Sequence, residues 1–516
     1  MANPPTYDEI KDRLSKRQKI GQLFMPAVFI NDTETEIKNM ERLITEGYVG
    51  SLCFFHSRAS AATNFEGKKK VVHNAESYQR LIELIARYQK AAPIPLLISI
   101  DAEWGLAMRV EKTRQYPYAI TLGAMQDQVD LVKQVGAQIA FDCKSAGIHW
   151  NLSPVVDINT DPENPVIGYR SFGFDKEQVT AYAQAYIEGA NTQGVLNSIK
   201  HFPGHGDTAT DSHLELPVID KTKAALFEEE LHPFIQLMQP DSIDAVMVGH
   251  LAVPALTDGA LEPASLSKKI LTDFLRGELA WDGIIISDAL NMHAISKRFE
   301  IPGELEYTAF EAGNDLLCFA DAVNAGIDMI DSHGASEQIE RSFERVWRLK
   351  QKAVTMPLAS QPVPTSTYPD LMAQLAEASL TQLKGNSEEI AVFRKQGYGM
   401  VEIGKPVSRF TARLHPSESD KRSLLVITPP QAKPKQNFGL SLTELERIRH
   451  LLDSRDSIIY LFGNPFLLDK IPWNKALAVV VVFQDFPEFQ DNAATHFEGG
   501  VAAPGKLPVQ LKSLSR

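Results

Sequence analysis

The segment from Lys200 to His213 carries the side chains best suited to acid and base chemistry. It holds two pairs that could exchange protons, Lys200 with His201 and Asp211 with His213, among glycines and a proline that oppose regular structure. A loop lies near the surface to solvate its backbone, so polar groups gathered there are stronger functional candidates than those on a helix face. The alternative is a solvated turn without a chemical role, in which the histidines only cap neighbouring groups. The density of ionisable groups favours a chemical role.

Five successive apolar runs each end in an ionisable side chain, and these runs lie before, within and after this segment. These side chains are Asp101 with Glu103, Asp157, Lys200 with His201, His250 and Asp288. Random placement of the charged residues, which make up 23% of the chain, would scatter them instead. We therefore expect these run-terminating groups to meet at one site.

Secondary-structure elements must position these groups, and the sequence indicates them by a regular alternation of short apolar runs with longer amphipathic segments. Eight runs are strand candidates: residues 20–29, 49–55, 95–101, 148–158, 194–200, 245–251, 283–288 and 315–319. Parallel strands covered by helices on both faces are apolar throughout, as these are. The pattern predicts an α/β fold, a (β/α)8 barrel, whose active site lies at the carboxyl ends of the strands.

The rest of the chain predicts a second, smaller α/β domain. Four prolines between residues 356 and 369, together with serines and threonines, indicate a semi-rigid linker. Beyond it, residues 423–428, 457–462 and 476–483 have the pattern of buried parallel strands, and a capping box at Ser441 and Glu444 predicts a helix. We expect a barrel over residues 1–353, a linker over 354–370 and an α/β sandwich with a mainly parallel sheet over 371–516.

Composition and charge narrow the classes of protein. The 516 residues are 44% hydrophobic, which is ordinary for a globular protein of two domains. A net charge of −13 without a basic patch argues against nucleic acid or an anionic membrane as a partner. No stretch approaches the ~20 apolar residues of a membrane span. The first residues lack a signal-peptide pattern, so we expect a cytoplasmic protein as the chain stands, or a periplasmic or secreted one if a leader was removed before Met1.

Metal and cofactor sites find little support in the sequence. His201, His205, Asp211 and His213 could be metal ligands, but two histidines at i and i+4 form a good pair only on a helix, which Pro203 and Gly204 prevent. The second domain lacks a glycine-rich nucleotide motif. The three cysteines are far apart, with neither disulfide nor zinc-finger spacing. We expect no cofactor and no metal.

Four stretches together resemble glycoside hydrolase family 3, in its β-N-acetylglucosaminidase (β-hexosaminidase) branch. They are residues 200–206 with the trailing Asp211 and His213, residues 164–173, residues 101–109 and residues 286–290. The resemblance covers the barrel from about residue 15 to 350, and segments 378–384 and 504–508 resemble the family's second domain more weakly. Where many relatives have a glycine after Glu103, this chain has Trp104.

The resemblance implies roles for individual residues. Asp288 matches the nucleophile of a retaining mechanism, and an ionised carboxylate suits that role because it can stabilise and attack an oxocarbenium-like centre. His213 matches the general acid/base, with Asp211 accepting a hydrogen bond from its ring and stabilising the imidazolium. Contacts with sugar hydroxyls and the N-acetyl group are implied for Asp101, Arg109, Arg170, Lys200 and His201. Asp157 and His250 either line the pocket or support it from behind.

The implied activity is that of a bacterial exo-β-N-acetylglucosaminidase with a carbohydrate as its partner. Its substrate would be a peptidoglycan fragment, as in peptidoglycan recycling, or a chitin oligomer. A phosphorylase is the first alternative, because a histidine acid/base repels phosphate less than a carboxylate does. A metal-dependent hydrolase and a non-catalytic sugar-binding protein are the others, and the presence of both Asp288 and the Asp211/His213 pair counts against the latter.

Overall fold

A computed structural model describes residues 5–46, 49–55, 73–207, 216–239, 242–355 and 367–514. Asp211, His213 and most of the predicted linker lie outside these ranges. The chain divides into two compact units. The first comprises Met1–Tyr116, Val135–Asp157 and Ala183–Val363; the second comprises Pro117–Gln134, Ile158–Tyr182 and Pro364–Arg516.

The described part of the first unit contains nine short strand segments, and all of their pairings are parallel. In chain order they are β1 Phe24–Met25, β2 Ala27–Phe29, β3 Ser51–Phe55, β4 Leu97–Ile100, β5 Trp150–Asn151, β6 Ser198–Phe202, β7 Ala245–Val248, β8 Ile284–Ser287 and β9 Leu317–Cys318. Only Pro26 separates β1 from β2, so these two segments form one barrel strand. Each predicted apolar run of the barrel contains one of these strands.

The pairings run around a closed ring. β2, β3, β4 and β5 pair in that order, as do β6, β7 and β8. Parallel bridges from Trp150 to Leu196 and from Ile286 to Leu316 join the remaining neighbours, and β9 pairs with β1 to close the ring. Eight parallel strands around a closed ring confirm the predicted (β/α)8 barrel.

The barrel strands are apolar because solvent reaches none of their central residues. Every residue of β3, β4, β6, β7 and β8 is buried. Lys200 and His201 are therefore exceptions within β6, since charged or ionisable groups are rarely buried without partners. Their partners define the site described below.

Helices connect the strands. In the order of the chain they are Tyr7–Ile10, Lys16–Gly21, Glu34–Thr45, Ser77–Ala91, Val129–Ser145, Lys176–Thr192, Lys223–Glu228, His232–Leu237, Lys269–Glu278, His293–Ser296, Glu304–Ala312, Val323–His333 and Ser336–Thr355. In Ser77–Ala91 the buried Leu81, Leu84, Ile85 and Tyr88 lie three, four and seven positions apart, on one face of a helix. That face packs inward while the charged face meets solvent.

The second unit is built on a five-stranded sheet. Its strands are β10 Thr381–Lys384, β11 Gly399–Gly404, β12 Arg422–Thr428, β13 Asp456–Leu461 and β14 Ala478–Val481. The order across the sheet is β10-β14-β13-β12-β11, and only the β10–β14 pair is antiparallel. The mainly parallel sheet is confirmed, as is the capping box at Ser441 and Glu444, which begins the helix Leu442–Ser454.

Both faces of this sheet are covered. On one face the apolar cluster includes Ile427, Leu461 and Val481 with Leu445 and Ile448 of the capped helix. On the other face an aromatic cluster joins the sheet to helices; it contains Phe393, Tyr398, Phe410, Tyr460 and Phe497. The remaining helices of this unit are Ala119–Gly123, Thr367–Ser379, Ser387–Lys395, Ser408–Arg413 and Pro487–Glu498. The unit is the predicted α/β sandwich.

Two further features concern the helices and the cysteines. Within the described ranges, every helix is too short or too polar to pass through a bilayer. Cys53, Cys143 and Cys318 are all buried and reduced. Burial raises the pKa of the Cys143 thiol, and the charge of Asp142 raises it further. The thiol therefore stays protonated and unreactive.

Candidate active site

Lys200 is held between two carboxylates at the carboxyl ends of the barrel strands. Its Nζ lies 2.6 Å from Asp101 Oδ1 and 2.8 Å from Glu103 Oε1, and its side chain is 2% exposed. Asp101 and Glu103 follow β4, whereas Lys200 belongs to β6, and β5 lies between these strands. A buried ammonium needs counter-charges, so the two ion pairs join opposite sides of β5.

Arg109 returns to Asp101 through a tight turn. Gly105 has a φ of +93°, and a Cβ there would lie 2.7 Å from the ring of Tyr116, so the turn requires glycine. After it, Arg109 Nη2 donates to Asp101 Oδ2 at 3.2 Å. The guanidinium carbon also lies 3.6 Å from the ring centroid of Phe55, a cation–π contact that orients the side chain. Asp101 thereby fixes two cationic donors at once.

Two supporting residues were not predicted from the sequence. Phe55 ends β3, and an aromatic residue at that position has the pattern of an ordinary core residue. Asn151 in β5 accepts from Ala102 N at 3.0 Å and donates to Ala102 O at 3.2 Å, which fixes the turn after Asp101. An amide within the otherwise apolar run of residues 148–158 is the signal that could have identified Asn151.

Asp157 is completely buried and holds His201. Its Oδ2 lies 2.7 Å from His201 Nδ1, and its Oδ1 accepts the backbone N–H groups of His201 at 3.1 Å and His205 at 2.8 Å. Burial alone would raise the pKa of Asp157, but His201, through its charge and hydrogen bonds, and the charge of His205 outweigh burial and lower the pKa. The ionised carboxylate only accepts, so His201 carries a proton on Nδ1. Asp157 thus supports the site from behind.

Asp288 follows β8 and is held by its neighbours in the backbone. Its N–H donates to Val248 O at 2.9 Å, and its Oδ1 accepts from Ala289 N at 2.7 Å. His250 fixes the same turn through two hydrogen bonds. Its Nε2 donates to Ala289 O at 2.9 Å, and its Nδ1 accepts from Ser265 Oγ at 2.6 Å. His250 is fully buried, so it supports the turn at Asp288.

Asp101 and Asp288 lie at the same end of the barrel. The thiol of Cys318 in β9 has its pKa raised by a hydrogen bond with Cys53, by burial, and by the charges of Cys53, Asp101 and Asp288. Asp101 follows β4 and Asp288 follows β8, and the carboxyl ends of parallel barrel strands lie at one end of the barrel, so both carboxylates lie at that end. The structure brings together Asp101, Arg109 and Lys200 directly, and it places His201 and Asp288 on strand ends of the same unit.

The other residues predicted for the site are Arg170, Asp211 and His213, and they lie elsewhere in the chain or outside the described residues. Arg170 belongs to the second unit, in the short 3-10 helix Gly168–Arg170, where its Nη1 donates to Val166 O at 3.2 Å. Asp211 and His213 lie outside the described residues. The roles implied for these three residues stay predictions, as do those of Asp101, Arg109, Lys200, His201 and Asp288. Among the described residues, no three His, Cys, Asp or Glu side chains are grouped in a way that could hold a metal ion.

Residues 15–349 match the family model described as "Glycosyl hydrolase family 3 N terminal domain". The chain is 31% identical over 349 residues to "Beta-hexosaminidase A" of Pseudoalteromonas piscicida, an alignment that covers 61% of this chain and 58% of that protein. It is 33% identical over 285 residues to "Beta-hexosaminidase" of Haemophilus influenzae, covering 54% of this chain and 78% of that protein.

Solved structures are similar over almost the whole chain. A glycoside hydrolase family 3 beta-N-acetylglucosaminidase from Paenibacillus sp. superimposes with a TM-score of 0.79 and 27% identity, covering 96% of this chain and 99% of that one. The beta-glucoside phosphorylase BglX bound to 2FGlc superimposes with a TM-score of 0.81 at 20% identity, covering 98% and 96%. The second likeness concerns the fold alone.

Proposed function

The chain belongs to glycosyl hydrolase family 3, and on this premise we propose that it removes terminal β-linked N-acetylglucosamine from oligosaccharides with retention of anomeric configuration. The relatives named beta-hexosaminidase and the Paenibacillus beta-N-acetylglucosaminidase support this activity. The chain spans just over half the length of the first of these relatives, 58%.

One observation carries the proposal: the ion-paired cluster of Asp101, Arg109 and the buried Lys200 lies at the same barrel end as Asp288. A sugar presents hydroxyl groups that both donate and accept. Asp101 retains lone pairs for hydroxyl donors, and Arg109 carries further N–H groups for hydroxyl acceptors. A site built of buried donors and acceptors discriminates strongly, because a wrong sugar leaves them unpaired.

Asp288 is proposed as the nucleophile. Its carboxylate attacks the anomeric carbon as the bond to the leaving oxygen breaks, and a covalent glycosyl ester forms. Water then displaces the ester from the opposite face, restores the carboxylate and gives a product of retained configuration. The hydrogen bonds of Asp288 and Ala289 with their neighbours hold the attacking group on a rigid strand end.

His213 is proposed as the general acid/base, with Asp211 as its partner. In the first step the imidazolium gives its proton to the leaving oxygen; in the second the neutral ring takes a proton from the attacking water. A histidine with a pKa near ~6.5 can perform both steps close to neutral pH. This assignment rests on the residue types and the resemblance of the 200–213 segment.

The remaining proposed contacts are with the sugar itself. Because Asp157 binds the Nδ1 atom of His201, Nε2 is the ring nitrogen proposed to contact a sugar hydroxyl. Arg170 is proposed to donate to the sugar or its N-acetyl group. The substrate is proposed to be a peptidoglycan fragment or a chitin oligomer.

Covalent trapping tests the proposal most directly. A fluorinated N-acetylglucosaminide that slows turnover of the intermediate should label one peptide, and mass mapping should place the label on Asp288. The Asp288→Asn variant, which keeps the shape of the side chain but lacks the attacking charge, should take up no label. A label on another carboxylate, or none with an otherwise active enzyme, would contradict the role of Asp288.

Phosphorolysis is the second candidate reaction. A neutral imidazole does not repel an incoming phosphate, whereas the carboxylic acid/base of most glycosidases would once it is ionised. Adding inorganic phosphate to the assay and analysing the products separates the two reactions. Hydrolysis yields free N-acetylglucosamine at every phosphate concentration, and phosphorolysis yields the sugar 1-phosphate.

A further inference from the structure

A pocket of about 280 Å³ lies beyond the ends of β8 and β9. Leu290 and Asn291, a few residues after β8, line one side, and Asp321, three residues after β9, lines another. Phe299 and Leu305 add apolar wall, so the pocket has room and surface for a small ring with an apolar face. None of these residues takes part in the contacts of Asp101, Lys200 or Asp288 described above.

The polar lining of this pocket is acidic. Glu300, Glu306 and Asp321 contribute carboxyl groups, and none of the described lining residues is basic. Glu306 is 3% exposed and accepts the backbone N–H of Ala322 at 2.9 Å, which holds it in place. Asp321 as a residue is exposed, yet burial of its carboxyl group and, after it, the charge of Glu306 raise its pKa to about 6. The lining of the pocket therefore presents carboxyl groups and no basic side chain.

An independent feature points to the same kind of ligand. Asn291 lines the pocket, is only 6% exposed, and its Oδ1 has no hydrogen-bond partner among the described residues. A buried amide oxygen without a partner is unfavourable, so a donor from a ligand would be stabilising there. An amide oxygen and carboxylates are all acceptors, and together they suit a group that only donates.

A protonated amine is the donor that fits this set. Metal ions need several ligands held close together, and among the described residues no three His, Cys, Asp or Glu side chains are grouped in that way. An ammonium group donates three hydrogen bonds without such strict geometry. We propose that this pocket binds an amino sugar of the glucosamine type, with the ammonium group facing Asn291, Glu306 and Asp321 and the ring packed on the apolar wall. The proposal does not require the hydrolytic reaction.

Titration calorimetry with two sugars tests the proposal without any variant. Glucosamine and glucose differ at one position, where one carries an ammonium group and the other a hydroxyl. At pH 7 glucosamine should bind about tenfold more tightly, the equivalent of one charge-assisted hydrogen bond. Lowering the pH to 5 should remove most of this preference, because Asp321 becomes neutral below its pKa of about 6. Equal affinities of the two sugars at pH 7 would overturn the proposal.

Two variants separate this pocket from other sugar sites. Asp321→Asn should abolish the preference for glucosamine and its change between pH 7 and 5, whereas Glu337→Gln, an exposed carboxylate outside the pocket, should change neither. Should Asp321→Asn fold poorly, Glu300→Gln at the same pocket should weaken the preference. A preference that persists in Asp321→Asn would place the amine elsewhere. Hydrolysis of an aryl N-acetylglucosaminide, measured on the same samples, reports separately on the proposed function.

Discussion

Asp157 has no exposed surface, yet it accepts three hydrogen bonds from His201 in β6 and His205 just after β6. It fixes the ring and the backbone of His201 and the backbone of His205. The sequence left open whether Asp157 lines the pocket or supports it, because a strand-end carboxylate has the same pattern in both cases. Its burial and its three partners assign it the supporting role.

Replacing Asp157 by Asn should destabilise the protein at neutral pH by about 2 kcal/mol, since the amide cannot accept from all three donors. The pKa of Asp157 is lower in the folded protein than its ordinary value of 3.8, so the folded state binds fewer protons. The stability it contributes is therefore present above about pH 4 and is lost as the pH falls further. Urea unfolding of both proteins from pH 7 to 3 should show the difference shrinking.

Asp328→Asn provides the matched control. Asp328 is exposed and pairs with Arg17 at 2.5 Å, and exposed ion pairs contribute little to stability. Its loss should change the free energy of unfolding by less than about 0.5 kcal/mol. If Asp157→Asn has an equally small effect, Asp157 does not hold His201 in solution as it does in the structure.

At the scale of elements, Lys221 joins both flanks of the segment that contains Asp211 and His213. Its Nζ lies 2.8 Å from Asp207 Oδ2, which precedes the segment. The same Nζ lies 2.7 Å from Glu229 and 2.5 Å from the buried Glu230, beside the helix Lys223–Glu228. Partial burial would lower the pKa of Lys221, but the hydrogen bonds to these carboxylates outweigh burial and raise it. Lys221 thus stays charged and anchors Asp207 to the barrel.

Replacing Lys221 by Met should lower kcat about tenfold for oligosaccharides and much less for activated aryl glycosides. The reason is that only a poor leaving group needs the proton that His213 is proposed to give. KM should change little, because Lys221 makes none of the sugar contacts proposed here. Steady-state kinetics on both substrate types measures the split.

Lys223→Met controls for the loss of a nearby positive charge. Lys223 pairs with Glu278 at 2.6 Å on the surface and does not contact Asp207. Its kinetics should match those of the unchanged protein on both substrates. Equal losses by Lys221→Met on oligosaccharides and aryl glycosides would indicate general damage to the fold and count against a positioning role.

Strands at the centre of a sheet could be predicted from the sequence, and strands at its edges could not. β12, β13 and β14 are almost wholly buried, so each forms an apolar run. β10 and β11 are the two edge strands, and most of their residues are partly or fully exposed. An edge strand needs no continuous apolar run, so β11, with Glu402 in its middle, has no strand signal of its own.

At the scale of the whole molecule, Lys350 ties the last barrel helix to the start of the first strand. It is 3% exposed, and its Nζ donates to Gln22 Oε1 at 2.5 Å. Burial lowers the pKa of Lys350 to about 7. Burial and the charge of Lys350 together lower the pKa of His149 to about 4. The buried amine of Lys350 therefore destabilises the folded barrel at the place where its last helix contacts Gln22.

Replacing Lys350 by Met should stabilise the protein at pH 7 by about 2 kcal/mol, after allowing for the lost hydrogen bond to Gln22. The unfolded chain binds this proton up to about pH 10.5, whereas the folded protein binds it only below about pH 7. Stability of the unchanged protein therefore rises with pH between these values. Urea unfolding at pH 7 and pH 9.5 should show the gap between variant and unchanged protein narrowing.

An exposed lysine serves as the comparison for Lys350. Lys90 lies at the surface of the helix Ser77–Ala91, and Lys90→Met should leave the pH dependence of unfolding as it was. If the gap between Lys350→Met and the unchanged protein is constant from pH 7 to 9.5, the amine of Lys350 is solvated in the folded state.

The sequence predicted the barrel well because each strand is specified locally, by its own apolar run and by the polar group that ends it. It predicted Asp101, Lys200 and Asp288 for the same reason. Long-range packing left no such local signal. Segments 117–134 and 158–182 join the second unit with residues more than 180 positions later, and nothing in their own patterns indicates it.

That interleaving affects synthesis on the ribosome. Ile120 and Ala124 pack in one apolar cluster with Ile427 and Leu461, which emerge about 300 residues later. At ~5–20 residues per second, the early segments wait roughly 15 to 60 s for their partners. During that interval the apolar side chains of residues 117–134 lack these partners, so we expect the yield in a cell to depend on chaperones that shield this segment until translation ends.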